Sequence, residues 1–359
     1  MLLERAHKQI KGVLINMLLG IESSCDDSSL ALVDLQTAKL LWHSKISQES
    51  AHSPYGGVVP ELASRLHALN LPLLAQRAKD FLNGFGALKA IAITTCPGLS
   101  VTLLEGLMLA KTLALGLNIP LIAIDHLQAH IFSLFIDKPP IFPLSVLLVS
   151  GGHTLIVEAH GPQEMQIVAK SLDDSLGESF DKVSKMLGLS YPGGPVVESL
   201  AKACPPQEEL KFTLPLKDHK GLAFSFSGLK NATRLAIMQE KEKGAVSESF
   251  KARLCAGFQK TATAHLLQNL RRYFANSPIK TLGLVGGVSA NLYVRERINA
   301  LCDEFGRGLL LAPLEFCSDN AAMVARVGVE LFRCKDFSPL YDTDISPHTR
   351  LVYAPKFLL

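Results

Sequence analysis

A strand–turn–strand unit occurs twice in this chain, and no other feature restricts the fold as much. Met17–Glu22 is an apolar run, Ser23–Ser28 a polar turn and Ser29–Asp34 a second apolar run. Leu144–Val149, Ser150–His153 and Thr154–Glu158 repeat the pattern, starting about 127 residues later (144 − 17). Short apolar runs bounded by turn residues read as buried strands. Each turn is built from small residues, so backbone amides can approach an anionic ligand. Taken singly, each unit is an ordinary hairpin. Placed at the head of each half, the pair points to an internally duplicated domain.

The segments between alternate strand and helix, which is the signature of an α/β fold. Leu88–Thr94 reads as a strand ending in Thr95–Ser100, with a helix over Val101–Leu117. Thr281–Val285 reads as a strand ending in Gly286–Asn291, with a helix over Leu292–Glu304. Gly308–Leu311 is a short strand. Ser318, Asp319 and Asn320 offer caps for a last helix over Ala321–Phe332. Arg234–Phe274, rich in Lys, Glu and Gln, reads as a helical insertion on a solvated face. Lys138–Pro140 is the best boundary between the halves.

A length of 359 residues accommodates two lobes with a large core, and 48% hydrophobic against 19% charged residues excludes a disordered chain. The net charge of +3 allows nucleic-acid contact without predicting it. Seven scattered Cys with no C-x-x-C fit reduced thiols in a cytoplasm. No apolar stretch approaches the roughly 20 residues that span a bilayer, so no membrane partner is expected. Met1–Asn16 carries Arg5, Lys8 and Lys11 and could be a transit peptide, but Glu4 counts against that. The expectation is an extension of residues 1–16 upstream of a natural start at Met17.

The chemistry is concentrated in a few places. His126 and His130 follow the apolar run Pro120–Ile124 at i, i+4 spacing. That spacing puts two imidazoles on one helix face, one turn apart, where both can bind one metal ion. Leu127 stands where a zinc protease helix carries its general base, so the clamp is present without the base. Two His and a carboxylate form a recurrent Fe²⁺ or Zn²⁺ site, and Asp319 is the most attractive third ligand. Glu22, Asp26, Asp27, Asp173 and Asp174 are other acids near the turns, each equally readable as a cap or loop charge. Glycine turns at Ser150–Gly152, Tyr191–Pro195 and Gly286–Asn291 suggest a nucleotide cleft. There is no G-x-x-x-x-G-K-[ST]. His43, His52, His67, His219 and His265 have no partner at ligand spacing.

These residues together resemble the TsaD family of tRNA adenosine threonylcarbamoyltransferases, in its bacterial branch. The matching stretches are Gly20–Asp27, Tyr55–Arg65, Pro97–Leu99, the His126/His130 pair, Leu148–His153, Gly177–Lys182, Tyr191–Pro195, Phe224–Lys230, Gly286–Asn291 and Phe316–Asn320. They run in order over nearly the whole chain. The resemblance implies a duplicated two-lobe fold of the actin-like ATPase and sugar kinase (ASKHA) superfamily, with ligand between the lobes. The expected division is an N-terminal lobe of residues 17–140, rejoined by a C-terminal helix over about 320–340. A C-terminal lobe of residues 141–319 carries the helical insertion, about 195–275.

The resemblance also implies the reaction. The threonylcarbamoyl group of threonylcarbamoyl-AMP moves to the exocyclic amine of the adenosine 3′ of the anticodon, in tRNAs reading codons that begin with A. It implies one divalent metal per subunit on His126, His130 and Asp319, Fe²⁺ first and Zn²⁺ as the alternative. Adenylate contacts carry over onto Leu148, Val149, Ser150, Gly151, Gly152, Asp181, Gly194, Glu198 and Asn291. Implied partners are tRNA, a TsaB-like paralogue and a small TsaE-like ATPase. Two departures stand out. Gln128 and Ala129 replace the family's common Glu-Gly inside the His pair, and Asp27 replaces its Glu. Asp26 is the residue best placed to take the amine proton as the new bond forms. The rival readings are a small-molecule kinase or ATPase of the same superfamily, a metalloprotease, and a non-catalytic scaffold.

Overall fold

The computed structural model describes residues 16–355. Of the expected extension over residues 1–16, residues 1–15 lie outside the described ones. The first half contains β1 (Met17–Glu22), β2 (Asp27–Asp34), β3 (Leu40–Ser47), α1 (Glu49–His52), α2 (Pro60–Leu82), β4 (Leu88–Cys96), α3 (Ser100–Leu117), β5 (Leu121–Asp125) and α4 (His126–Phe132). The second contains β6 (Leu144–Val149), β7 (Thr154–Ala159), β8 (Met165–Lys170), α5 (Leu176–Met186), α6 (Gly193–Ala203), α7 (Ser227–Lys243), α8 (Glu248–Asn276), β9 (Thr281–Val285), α9 (Leu292–Glu304) and β10 (Gly308–Leu311). Then come α10 (Ala321–Arg333) and the two-residue β11 (Val352–Tyr353).

The duplication appears in the sheets. The first has strand order β3-β2-β1-β4-β5, and the second has β10-β9-β6-β7-β8-β11. In each, three strands form an antiparallel meander, β1–β3 and β6–β8. Two further strands then add in parallel, β4 and β5 in one sheet and β9 and β10 in the other. β1 and β6 are buried along their whole length. Strands covered on both faces are expected to be continuous apolar runs. This is a two-lobe actin-like fold.

Helices α4 and α10 lie between the sheets. Leu127, Ile131 and Phe132 of α4, and Met323, Val324 and Val327 of α10, share one core with Leu18 and Ala92 of the first sheet and Val146 and Leu148 of the second. Contact between α10 and β1 is close because Gly20 has no side chain. A Cβ there would lie 2.7 Å from the Ala321 carbonyl oxygen and from Ala325 Cβ. The helix ends at Arg333 and not near 340, where Lys335 turns the chain with φ 56°.

The stretch Arg234–Phe274 differs from the sequence expectation. It forms parts of two helices, α7 and α8, which break at Gly244. Only α7 is a solvated face. Helix α8 buries Leu254, Phe258, Leu266, Leu270 and Tyr273 in the second lobe's core. The charges cluster at the end of α7, and averaging over the whole stretch hid the apolar stripe that follows. Among the described helices, α3 alone is long and apolar enough to cross a membrane by length and composition. Here it packs on β4 and α2.

Candidate metal centre and glycine-lined ring

Helix α4 starts where β5 ends, with Asp125 as its N-cap: Oδ1 accepts the Leu127 amide at 2.9 Å. The helix is buried throughout, and its i, i+4 pair is aligned as the spacing predicts, ring centroids 4.6 Å apart. Asp319 arrives from the far end of the chain, in the turn before α10. Asn320 caps α10 through the Met323 amide at 3.0 Å. Lys45 Nζ, which is 2.8 Å from Asp27 Oδ2, donates to Ser318 Oγ at 3.1 Å and so pins that turn to β3.

Asp319 Oδ1 lies 3.4 Å from His126 Nε2 and 3.2 Å from His130 Nε2. One potential ligand atom from each residue falls within a 4.8 Å span. Behind His126, Glu22 is fully buried and presents Oε2 at 3.2 Å to Nδ1. Thr94 Oγ1 donates to that same Oε2 at 2.6 Å, and the Ser24 amide donates to Oε1 at 2.7 Å. A ring nitrogen held by a carboxylate leaves the other free for a metal, the arrangement that fixes metal-ligating His elsewhere.

The electrostatics fit a cation. Burial alone would lower the His126 pKa, but the Asp319 and Glu22 carboxylates outweigh it and hold it well above the ordinary imidazole value. Burial would raise Asp319, yet His126 and His130 hold it well below the usual carboxylate range. His130 is lowered by burial and by His126. It is fully buried, and neither of its ring nitrogens has a well-aligned hydrogen-bond partner among the described residues. An orphaned buried imidazole beside a carboxylate and a second imidazole is the donor set of a metal site with open positions.

The residues named for adenylate come together in the second lobe through four contacts that close a ring. The Gly177 amide donates to the Ser150 carbonyl at 3.2 Å, joining the β6–β7 turn to α5. Asp181 of α5 accepts the Gly193 amide at 2.7 Å, joining α5 to α6. Glu198 of α6 accepts the Leu292 amide at 2.7 Å, joining α6 to α9. Gly286, with φ 92°, then passes so close to Val149 that a Cβ would clash with its carbonyl oxygen. Gly151, Gly152 and Gly194 have open space where a Cβ would point. Leu148 and Val149 are buried in β6 beneath the turn. Asn291 caps α9 through the Val294 amide at 3.0 Å and donates to Gln259 at 2.9 Å. Its side chain is therefore engaged in the scaffold.

Asp26 lies on the first lobe's turn, facing the second lobe, with Tyr191 Oη 3.5 Å from its Oδ2. Burial, followed by Asp27 and Asp319, raises its pKa above the ordinary value. His153, unmarked by spacing, is also at the site. Burial and the nearby His126 and His130 push its pKa down to about 4. Two residues missed as positioning groups are Glu22 and Asp125. Their signal in the sequence was position alone, at the ends of β1 and β5. His67, read as ordinary, is tied to Ser28 and the Cys25 carbonyl at 2.8 and 3.0 Å.

Duplicated lobes, a largely buried His–His–Asp centre and a glycine-lined ring define a two-lobe actin-like fold of the ASKHA type with a candidate metal site. The solved structures agree on the fold: T. kodakarensis HypF, 14% identical, matches 89% of this chain and 48% of its own with a TM-score of 0.60. The activator of the 2-hydroxyisocaproyl-CoA dehydratase from Clostridium difficile, 10% identical, matches 92% and 99% with a TM-score of 0.52. The sequence model described as TsaD, tRNA N6-adenosine threonylcarbamoyltransferase, matches residues 39–326. Proteins with that name from Helicobacter acinonychis and Wolinella succinogenes are 59% and 54% identical, each over 93% of this chain and 98% and 99% of their own. The chain belongs to the TsaD family, and its activity is that of a transferase that modifies tRNA adenosine. These relatives favour neither the kinase nor the protease reading.

Proposed function

We propose that the chain transfers threonylcarbamoyl from threonylcarbamoyl-AMP, with the acyl part at His126, His130 and Asp319 and the adenylate in the ring. The observation that supports this most is the approach of Asp319 to the His pair, 3.2 Å from His130. His126, His130 and Asp319 would hold an Fe²⁺ ion, or Zn²⁺ as the alternative, which would supply Lewis-acid polarisation of the carbamoyl carbonyl. The amide edges and open glycines at Ser150–Gly152 and Gly194 orient the adenylate with its acyl group toward α4.

The adenosine amine is a weak nucleophile because its lone pair is delocalised into the ring. Its nitrogen bonds to the carbamoyl carbon, the bond from that carbon to the AMP phosphate oxygen breaks, and AMP leaves. Asp26, half-buried and with a raised pKa, accepts the amine proton as the bond forms. Positioning accounts for most of the acceleration. The anticodon-loop base unstacks to enter the crevice.

The division into an N-terminal lobe of residues 17–140 and a C-terminal lobe of residues 141–319 belongs to the same reading. So do cytoplasmic residence, a TsaB-like paralogue and a TsaE-like ATPase as partners, and tRNAs reading codons that begin with A. The deciding experiment incubates such a tRNA with the protein, its partners, a threonylcarbamoyl-AMP-forming enzyme, threonine, bicarbonate and ATP. Mass analysis of the nucleosides should show threonylcarbamoyladenosine. Unmodified adenosine, with a partner set that serves a known relative, would refute the reading.

A further inference from the structure

Between Arg333 and residue 355 the described chain has little regular structure, yet it is tied down at successive points. The Ser338 amide donates to the Leu121 carbonyl at 2.8 Å, and its hydroxyl accepts the Ala123 amide at 2.9 Å, along the outer edge of β5. The Ser346 amide reaches the Thr95 carbonyl at 2.9 Å. The Thr349 hydroxyl and the Arg350 amide both donate to Asp125 Oδ2, at 2.6 and 2.8 Å. The Arg350 guanidinium donates to Thr95 Oγ1 at 2.6 Å and to the Ala123 carbonyl at 3.3 Å. Immediately afterwards β11 pairs in parallel with β8, on the other sheet. The tail thus straps one lobe to the other, and its knot is on Asp125.

That knot matters because of what Asp125 does with its other oxygen. Oδ1 caps α4, and the next residue is His126. A seven-residue helix has little stability of its own, so its cap and its outside ties decide where it sits. Gln128 on the same helix donates to the Pro162 carbonyl at 2.5 Å, a second tie to the other lobe.

We infer that Thr349 and Arg350 are positioning residues for the metal-binding helix, acting through the carboxylate of Asp125. Without them Oδ2 keeps only the 3.6 Å contact from Cys96 Sγ, the carboxylate can rotate away from the helix amides, and the His126 ring loses its fixed place. Neither residue touches substrate. The inference rests on the metal centre proposed above. Because coupling between two sites is reciprocal, an ion bound at α4 must tighten the strap by the factor that the strap adds to ion binding.

The test is a Zn²⁺ titration of the full-length apoprotein against a chromophoric chelator, with Thr349→Val, Thr349→Ser and Arg350→Ala. Thr349→Val should weaken binding about tenfold, in the range found when outer partners of metal ligands are removed. Thr349→Ser should restore it. Arg350→Ala keeps the amide that reaches Asp125 and removes only the guanidinium that holds it against Thr95 and Ala123, so it should weaken binding less than Thr349→Val. Affinity in Thr349→Val within twofold of the parent, or an equal loss in Thr349→Ser, overturns the inference. Should the variants not fold, hydrogen exchange of the unmodified protein decides. Saturating Zn²⁺ should slow exchange of the Arg350 amide about tenfold, and an unchanged rate overturns the inference. A parent that binds no Zn²⁺ takes down the metal reading and this inference together. A parent that binds while the strap is indifferent takes down this inference alone.

Discussion

Glu22 Oε2 stands 3.2 Å from His126 Nδ1, at the end of the first strand and fully buried. This contact fixes which ring nitrogen faces Asp319. Replacing Glu22 by Gln keeps the shape and removes the charge that His126 leans on. We expect metal affinity to fall by about 10- to 100-fold, with far-ultraviolet circular dichroism unchanged. Unchanged affinity in a chelator competition would show that Glu22 only fills space.

His126→Ala removes a ligand together with the ring that Glu22 and Ser24 hold. The variant should fold, carry no metal and transfer nothing. Elemental analysis alongside a transfer assay checks this. A metal-free variant with full activity would end the ligand role.

Asp26→Asn tests the proton acceptor. It should lower kcat by about 10²- to 10⁴-fold while leaving adenylate affinity nearly intact. A defect confined to binding would assign Asp26 to holding the ligand.

Glu198 joins α6 to α9 through the Leu292 amide. Glu198→Ala should cost about 1 kcal/mol of stability through the lost cap and should also weaken AMP binding. Calorimetry measures both. AMP affinity equal to the parent's would place Glu198 outside the ligand ring.

Asp181 gives a pH dependence whose sign is fixed. Burial raises its pKa from 3.8 to about 6, against the pull of the Gly193 amide. Its charged form is therefore penalised in the folded protein above pH about 6, and the penalty fades as pH falls from 6 toward 4. Asp181→Asn removes the charge, so it should be more stable than the parent at pH 8, by about 3 kcal/mol at most. The gap should close on acidification. Urea denaturation at several pH values tests it, and a gap that widens in acid contradicts the assignment.

Local signals carried the fold a long way. The first strands of both hairpins, α9 and β10 lie where apolar runs and turn residues put them. The His pair was equally legible, since i, i+4 spacing acts within one helix turn. The approach of Asp319 was not, because it depends on α10 packing across β1 at Gly20. No sequence period records that contact: donor chemistry and the family resemblance both mark Asp319 as a third ligand, but neither shows its approach to the His pair. Glu22 and Asp125 carry no sequence signal of a positioning role for the same reason, since each acts on a residue set by tertiary packing. Helix α8 was misread because charged and apolar residues were averaged over two helices. The strap escaped notice altogether, because its ties are single hydrogen bonds with no repeat.

The separation of the three ligands along the chain also bears on synthesis. Chains grow from the amino end, and early domains fold first. The two imidazoles are therefore in place long before the carboxylate that completes the set. A product cut short between β10 and Asp319 could fold much of both sheets and still offer an ion only two of its three donors. Metal retention would then distinguish finished molecules from truncated ones.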